Sequence, residues 1–376
     1  MTAVLFRMRP LITRLLMLTL GGGVLLGLWA ALQRLGWSVP TISAPLVGIH
    51  GSLMIAVLGA LVALERATAL TALDRRHGWA YLAPAATAFG AVMLIITGAT
   101  PFALGLVTLG SGGMALIFVV ILRRHLALYT LTMALAAACW LVGNGLWFSG
   151  QPVYAVVHLW IGFLVLTIVG ERLELSRVRR LTRRSQQLFA GAVLLFLIGL
   201  VISVFTLDLG ARVTGLGEVV LALWLLRYDI ARRTVRGTGV TRYIAACLLI
   251  GYGWLAVGGV LGMAFGATYA GFNYDAFLHA ILLGFVMSMV FGHAPIIIPA
   301  LTGKTVPFMR GFYLPLATLH ALLLVRVLSD LAAWTPGRMV GGLFNVIAVL
   351  LFLGALLFAA LGQQLMERLR PHTASA

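Results

Sequence analysis

Apolar runs of about 20 residues recur along the whole chain, and that repetition constrains its fold more than any single residue does. Each run is long enough to cross about 30 Å of hydrocarbon as a helix. Inside lipid a backbone must satisfy its own hydrogen bonds, so runs of this length are helices. A β-barrel would need short alternating segments, which do not occur here. The runs fall near 11–31, 44–66, 79–98, 101–122, 126–148, 153–170, 188–207, 213–227, 243–266, 274–299, 312–329 and 339–362. With 61% hydrophobic and 10% charged residues, a soluble chain of 376 residues could not cover its apolar surface. The expected fold is an all-α polytopic membrane protein of about 12 transmembrane helices, one integral membrane domain over 1–376.

The net charge of +17 would suit a polyanion such as nucleic acid, but its distribution argues otherwise. With the N-terminus inside, the segments expected in the cytoplasm carry 23 of the 27 basic residues, from Arg7 and Arg66 to Lys304 and Arg370. Arg34, Arg212, Arg326 and Arg338 fall on the other side. That asymmetry is the positive-inside pattern, so both termini are expected in the cytoplasm and the multi-pass protein in the cell (inner) membrane. The partners it implies are membrane lipids, with the Arg-rich 171–187 and 228–242 loops near anionic headgroups, and no nucleic acid. The first apolar run follows Arg7, Arg9 and Arg14 without a small-residue cleavage site, and is expected as a retained span. Cys139 and Cys247 form no CxxC or zinc spacing and are expected as buried small hydrophobes.

A weak internal repeat divides the chain at about 1–122, 123–228 and 229–376. Span two carries His50 and ends in Glu65-Arg66; span six carries His158 and ends in Glu171-Arg172. The histidines are 108 residues apart and the Glu-Arg pairs 106; His279 in span ten follows His158 after 121 more. This spacing suggests three four-helix arcs with a histidine on the second helix of each. All three histidines lie at about the same depth, roughly 8 Å below the outer boundary at 1.5 Å per residue. His293 and His320 are also intramembrane, where an ionisable group is a functional candidate by default. The alternative is an imidazole that only hydrogen-bonds a neighbouring helix. His77, His125 and His372 fall in loops or the tail, where solvation accounts for them.

His279 and His293 are fourteen residues apart, so an uninterrupted α-helix would project both from one face about 21 Å apart. They would serve two sites, not one iron. Met54 and Met287 are possible axial sulfurs, although core packing explains them as well. Gly48, Gly51, Gly162, Gly284 and Gly292 flank the histidines, which suits either a flat macrocycle or close helix packing. Glu65 and Glu171 suit local ion pairs at a helix end or, less simply, proton uptake. Glu218, His320 and Arg326 form either a polar path or mutual pairs. No P-loop, GxSxG or HExxH is present, which argues against an ATP-driven pump and a membrane hydrolase.

Histidines on spans two, six and ten of twelve give the chain a topology that resembles the haem–copper oxidase catalytic subunit. It is more similar to the shorter NnrS-like membrane proteins, linked to haem, copper and nitric oxide stress. The resemblance implies His50 and His279 as ligands of a b-type haem and His158 as a copper ligand. Span seven, 188–207, lacks the oxidases' His-His pair and span ten their His-x-His, so the complete reduction site is absent. The expected cofactor-binding residues are His50, His279 and His293, and the expected metal ligands His50, His158, His279 and His320. The expected function is a haem- or copper-binding membrane protein of this kind, with any enzymatic activity left open. The alternatives are a secondary transporter with an intramembrane polar site, and a sensor or assembly factor.

Overall fold

A computed structural model describes residues 9–176, 181–303 and 305–369. Arg7, Arg177, Arg179, Arg180, Lys304, Arg370 and His372 therefore lie outside the described residues, as do the chain ends. The described chain is all-helical, and twelve of its helices are long and apolar enough to cross a membrane. In chain order these are α1 (Arg9–Arg34), α2 (Leu46–Leu73), α3 (Leu82–Thr97, after a 3-10 turn over Arg75–Tyr81) and α4 (Pro101–Arg124). Next come α5 (Leu128–Phe148), α6 (Val153–Leu175), α7 (Arg183–Phe205) and α8 (Leu207–Tyr228). The last four are α9 (Gly239–Phe265), α10 (Gly271–Thr302), α11 (Tyr313–Leu331) and α12 (Thr335–Leu369).

Several helices outrun their apolar stretches. α2 continues past Glu65-Arg66, α6 past Glu171-Arg172, and α8 starts before Asp208. Hydropathy stops at a charge, but backbone hydrogen bonding does not, and these charges are matched. Arg212 donates to Asp208 one turn away at 3.0 Å, near the helix N-terminus where a carboxylate is favoured. Between α2 and α3, the Arg76 N–H and the Arg124 guanidinium hold the Asp74 carboxyl below the usual carboxylate range.

Consecutive helices pack side by side, and α12 returns to α1, which closes the bundle. α6 is the most enclosed helix: 83% of its apolar window is buried, against 33% for α1. α2 and α6 both reach α10, which brings the three histidine-bearing helices of spans two, six and ten near one another. Small residues permit the close approaches. A side chain at Gly258 would strike Ile281, and one at Gly199 would strike the Thr214 backbone. Large apolar side chains such as Leu18, Leu109, Phe205 and Phe358 cover the outside, a surface suited to hydrocarbon. The chain is a multi-pass membrane protein.

α10 is not uniform. It is α-helical over Gly271–His279, π-helical over Ala280–Met287 and α-helical again over Ser288–Thr302, with Pro295 and Pro299 inside the last part. The i→i+5 bonds of a π segment widen the turn, so the constant α-period expected between His279 and His293 does not hold.

Candidate functional site

His50 sits on the second turn of α2, with Nδ1 2.8 Å from the Gly27 carbonyl of α1. His279 ends the first part of α10, with Nδ1 2.9 Å from the Asp275 carbonyl. A carbonyl oxygen only accepts, so each Nδ1 is the donor and each neutral ring keeps its lone pair on Nε2. The two rings line one cavity of about 230 Å³ that opens toward Arg34, Tyr154, Tyr269 and Tyr274. They also line a second of about 70 Å³ on the other side, with Met54, Met287, Arg326 and Asn345. The imidazoles of spans two and ten thus share two adjoining spaces, with both Nε2 atoms free of any protein hydrogen bond among the described residues.

The glycines divide into two kinds. Gly48 and Gly51 line the larger cavity, and a Cβ on either would meet nothing within 4 Å. Gly162 instead packs on Leu200, Gly284 on Trp254 and Gly292 on Cys247. Only the pair around His50 borders open space. Met54 and Met287 line the smaller cavity, where Met54 Sδ lies 2.5 Å from a Cβ built on Gly27.

Beneath His279 lies a buried charge network. Asp275 accepts from Arg326 Nε at 2.8 Å and Arg326 Nη2 at 2.9 Å. Arg338 approaches Asp275 at 3.3 Å and also Asp330 at 3.3 Å. Two arginines thus meet two carboxyl groups, so no buried charge in the network lacks a possible counter-charge. Asp275 Oδ1 is 3.3 Å from His279 Nδ1, which makes this carboxylate the second support of the ring. Sequence reasoning missed Asp275 in this role. The signal was present: it stands four residues before His279, on the same helix face.

The remaining candidates are elsewhere. His158 is buried, its ring 5.5 Å from Phe277 and its Nδ1 without a hydrogen bond, and it does not line the cavities of His50 and His279. His293 donates from Nδ1 to the Met289 carbonyl at 2.8 Å and lines a third cavity with Glu65 and Glu171. His320 has the opposite tautomer. Ser288 spends its proton on the Cys247 carbonyl, so His320 Nε2 must donate to the Ser288 hydroxyl at 3.2 Å. That nitrogen is unavailable to a metal while the bond lasts. Among the described residues, no three His, Cys, Asp or Glu side chains are grouped closely enough to hold one ion.

Two expected pairings are corrected. Glu218, His320 and Arg326 do not pair with one another: Arg326 serves Asp275, His320 serves Ser288, and both Glu218 oxygens are buried without a hydrogen bond. Nor are the Glu-Arg pairs merely local. Arg66 donates to Glu171 of α6, and Arg172 to Asp229 at 2.8 Å, because separate helices end at the same level. Of the loop histidines, His125 is exposed, whereas His77 is half-buried beside Asp74 at 3.5 Å. Both cysteines are free and buried, as expected.

Comparison with known proteins adds a family. No curated protein and no solved structure matches the chain. A family model matches residues 13–361, nearly the whole bundle. The chain therefore belongs to the family described as a domain of unknown function (DUF8744).

Proposed function

We propose that this protein is a b-type haem protein of the cell inner membrane, in which His50 and His279 would hold the haem. The observation that carries this reading is the shared tautomer. Two imidazoles on facing helices each give Nδ1–H to a backbone carbonyl and turn a lone pair toward common space, the arrangement that orients histidine for a metal. The surroundings fit a macrocycle: open space at Gly48 and Gly51, apolar Ile55 and Leu282 along the walls, and Arg34 near the rim for an anionic substituent. Bound there, haem would supply one-electron transfer. The chain's own part is to hold both rings at one level and, through Asp275, to fix the His279 ring. The resemblance to NnrS-like proteins extends the proposal to nitric oxide stress, with His158 as the copper candidate. A secondary transporter is the second reading, favoured by polar cavities toward both ends of the bundle.

Purification from haem-replete membranes decides between them. The expected result is a Soret band that shifts on reduction, removed or altered by His50→Ala and His279→Ala but unchanged by His77→Ala and His125→Ala. A well-folded but colourless protein without iron would overturn the haem reading and favour transport.

A further inference from the structure

Away from the Arg34 end, α2, α6 and α10 enclose a further cavity of about 80 Å³, lined by Glu65, Thr167, Glu171 and His293 among apolar side chains. His293 gives Nδ1–H to Met289, so Nε2 holds its lone pair. The charges around it do not balance. Arg66 donates to Glu171 and lies 3.9 Å from Glu65, so a single guanidinium faces two carboxylates. The next cation, Arg172, is committed to Asp229, with side chains only 4% and 0% exposed. Tyr252 of α9 stands beside that pair, and Glu174 on α6 has interactions of its own. Among the described residues that face the cavity, one negative charge is thus in excess where α2 and α6 leave their apolar stretches, and an uncompensated charge there is costly.

The cavity is also reachable. The Glu65 and Glu171 side chains are 31% and 23% exposed, and His293 is half-buried beside them. No ion pair joins His293 to either carboxylate, but the space suffices for water to bridge groups that supply several polar partners. Arg66 already stands between the two carboxylates, in the place a divalent cation would take.

We propose that this cavity is a proton-binding site, which takes one proton from the aqueous phase at the Arg66 end and holds it between Glu65 and His293 Nε2. The step is a plain proton transfer. A Glu65 carboxylate oxygen forms the new bond to hydrogen, the acid O–H is then aimed at the His293 Nε2 lone pair through water, hydronium in the aqueous phase gives the proton up, and the excess charge is cancelled. The proposal does not depend on the haem reading, since either a redox protein or a transporter can use such a site.

The test is pH-difference infrared spectroscopy on the full-length protein in lipid. Acidification should produce a carboxylic-acid band worth one proton per chain. Glu65→Gln should abolish it, and His293→Gln should displace its midpoint by about tenfold in proton concentration. Glu171→Gln is the decisive variant: it leaves Arg66 to balance Glu65, so uptake should be lost although Glu65 is intact. Glu218→Gln should remove only a band that does not change with pH. A pH-dependent band that persists unchanged in Glu171→Gln and His293→Gln, or its absence from the parent protein, would overturn the proposal.

Discussion

Asp275 accepts two hydrogen bonds from Arg326 while standing 3.3 Å from the ring of His279, so one carboxylate joins α10 to α11 and steadies a candidate ligand. A buried ion pair is itself a modest source of stability, because desolvation offsets much of its attraction. Breaking it is another matter, since the surviving charge is left in apolar surroundings. Arg326→Met should therefore destabilise the protein by about 3–5 kcal/mol, reduced by whatever Arg338 recovers. Asp275→Asn combined with Arg326→Met should lose much less than the two single losses added together. Thermal unfolding of the four proteins in one detergent measures both, and additive losses would mean that the pair does not act as a unit.

The π segment of α10 lies between His279 and His293 and sets how the two halves of that helix are turned relative to each other. Such segments behave as single-residue insertions in an α-helix and frequently adjoin functional sites. Deleting Leu283 should restore α-helical bonding and rotate the His279 half by about 100° relative to the rest. The bundle should still elute as a folded protein, because α9 and α11 continue to flank α10, but His279 would no longer face His50. Loss of the haem spectrum with an unchanged elution profile is the expected outcome. A retained spectrum would mean that the π turn does not aim His279.

The closed order of helices, with α6 the most enclosed and both α2 and α6 in contact with α10, gives the molecule two chemically different ends. One holds Arg34, Asp275, Arg326 and Arg338 near the histidine pair; the other holds Arg66, Glu171 and Arg172 near His293. An apolar cavity of about 190 Å³ shares Met54, Leu58 and Met287 with the smaller histidine cavity, and Leu58, Leu61 and Val290 with the cavity of His293. By sequence, the segments at the second end carry 23 of the 27 basic residues, which predicts that this end faces the cytoplasm. Reporter fusions at the C-terminus and within the 149–152 turn should accordingly report opposite sides, the C-terminus inside. The same side for both would break the twelve-span arrangement.

The sequence by itself determined the twelve spans and where they lie, because hydrocarbon thickness and the need to satisfy the backbone act on each segment separately. It also singled out the second helix of each four through the histidines and Glu-Arg pairs. The tertiary structure alone decided which of those residues meet. Whether a glycine borders space, as Gly51 does, or receives a neighbour, as Gly284 does, depends on how two helices press together. The tautomers of His50, His279 and His320 were likewise illegible, since the carbonyl or hydroxyl that selects each belongs to local geometry or to another helix. The phase between His279 and His293 changed for a similar reason: periodicity assumes one kind of turn, and the packed helix uses two. Charge partners followed the same rule. Arg66 stands next to Glu65 in sequence, yet donates to Glu171, because ion pairing depends on distance in the folded bundle and not on order along the chain.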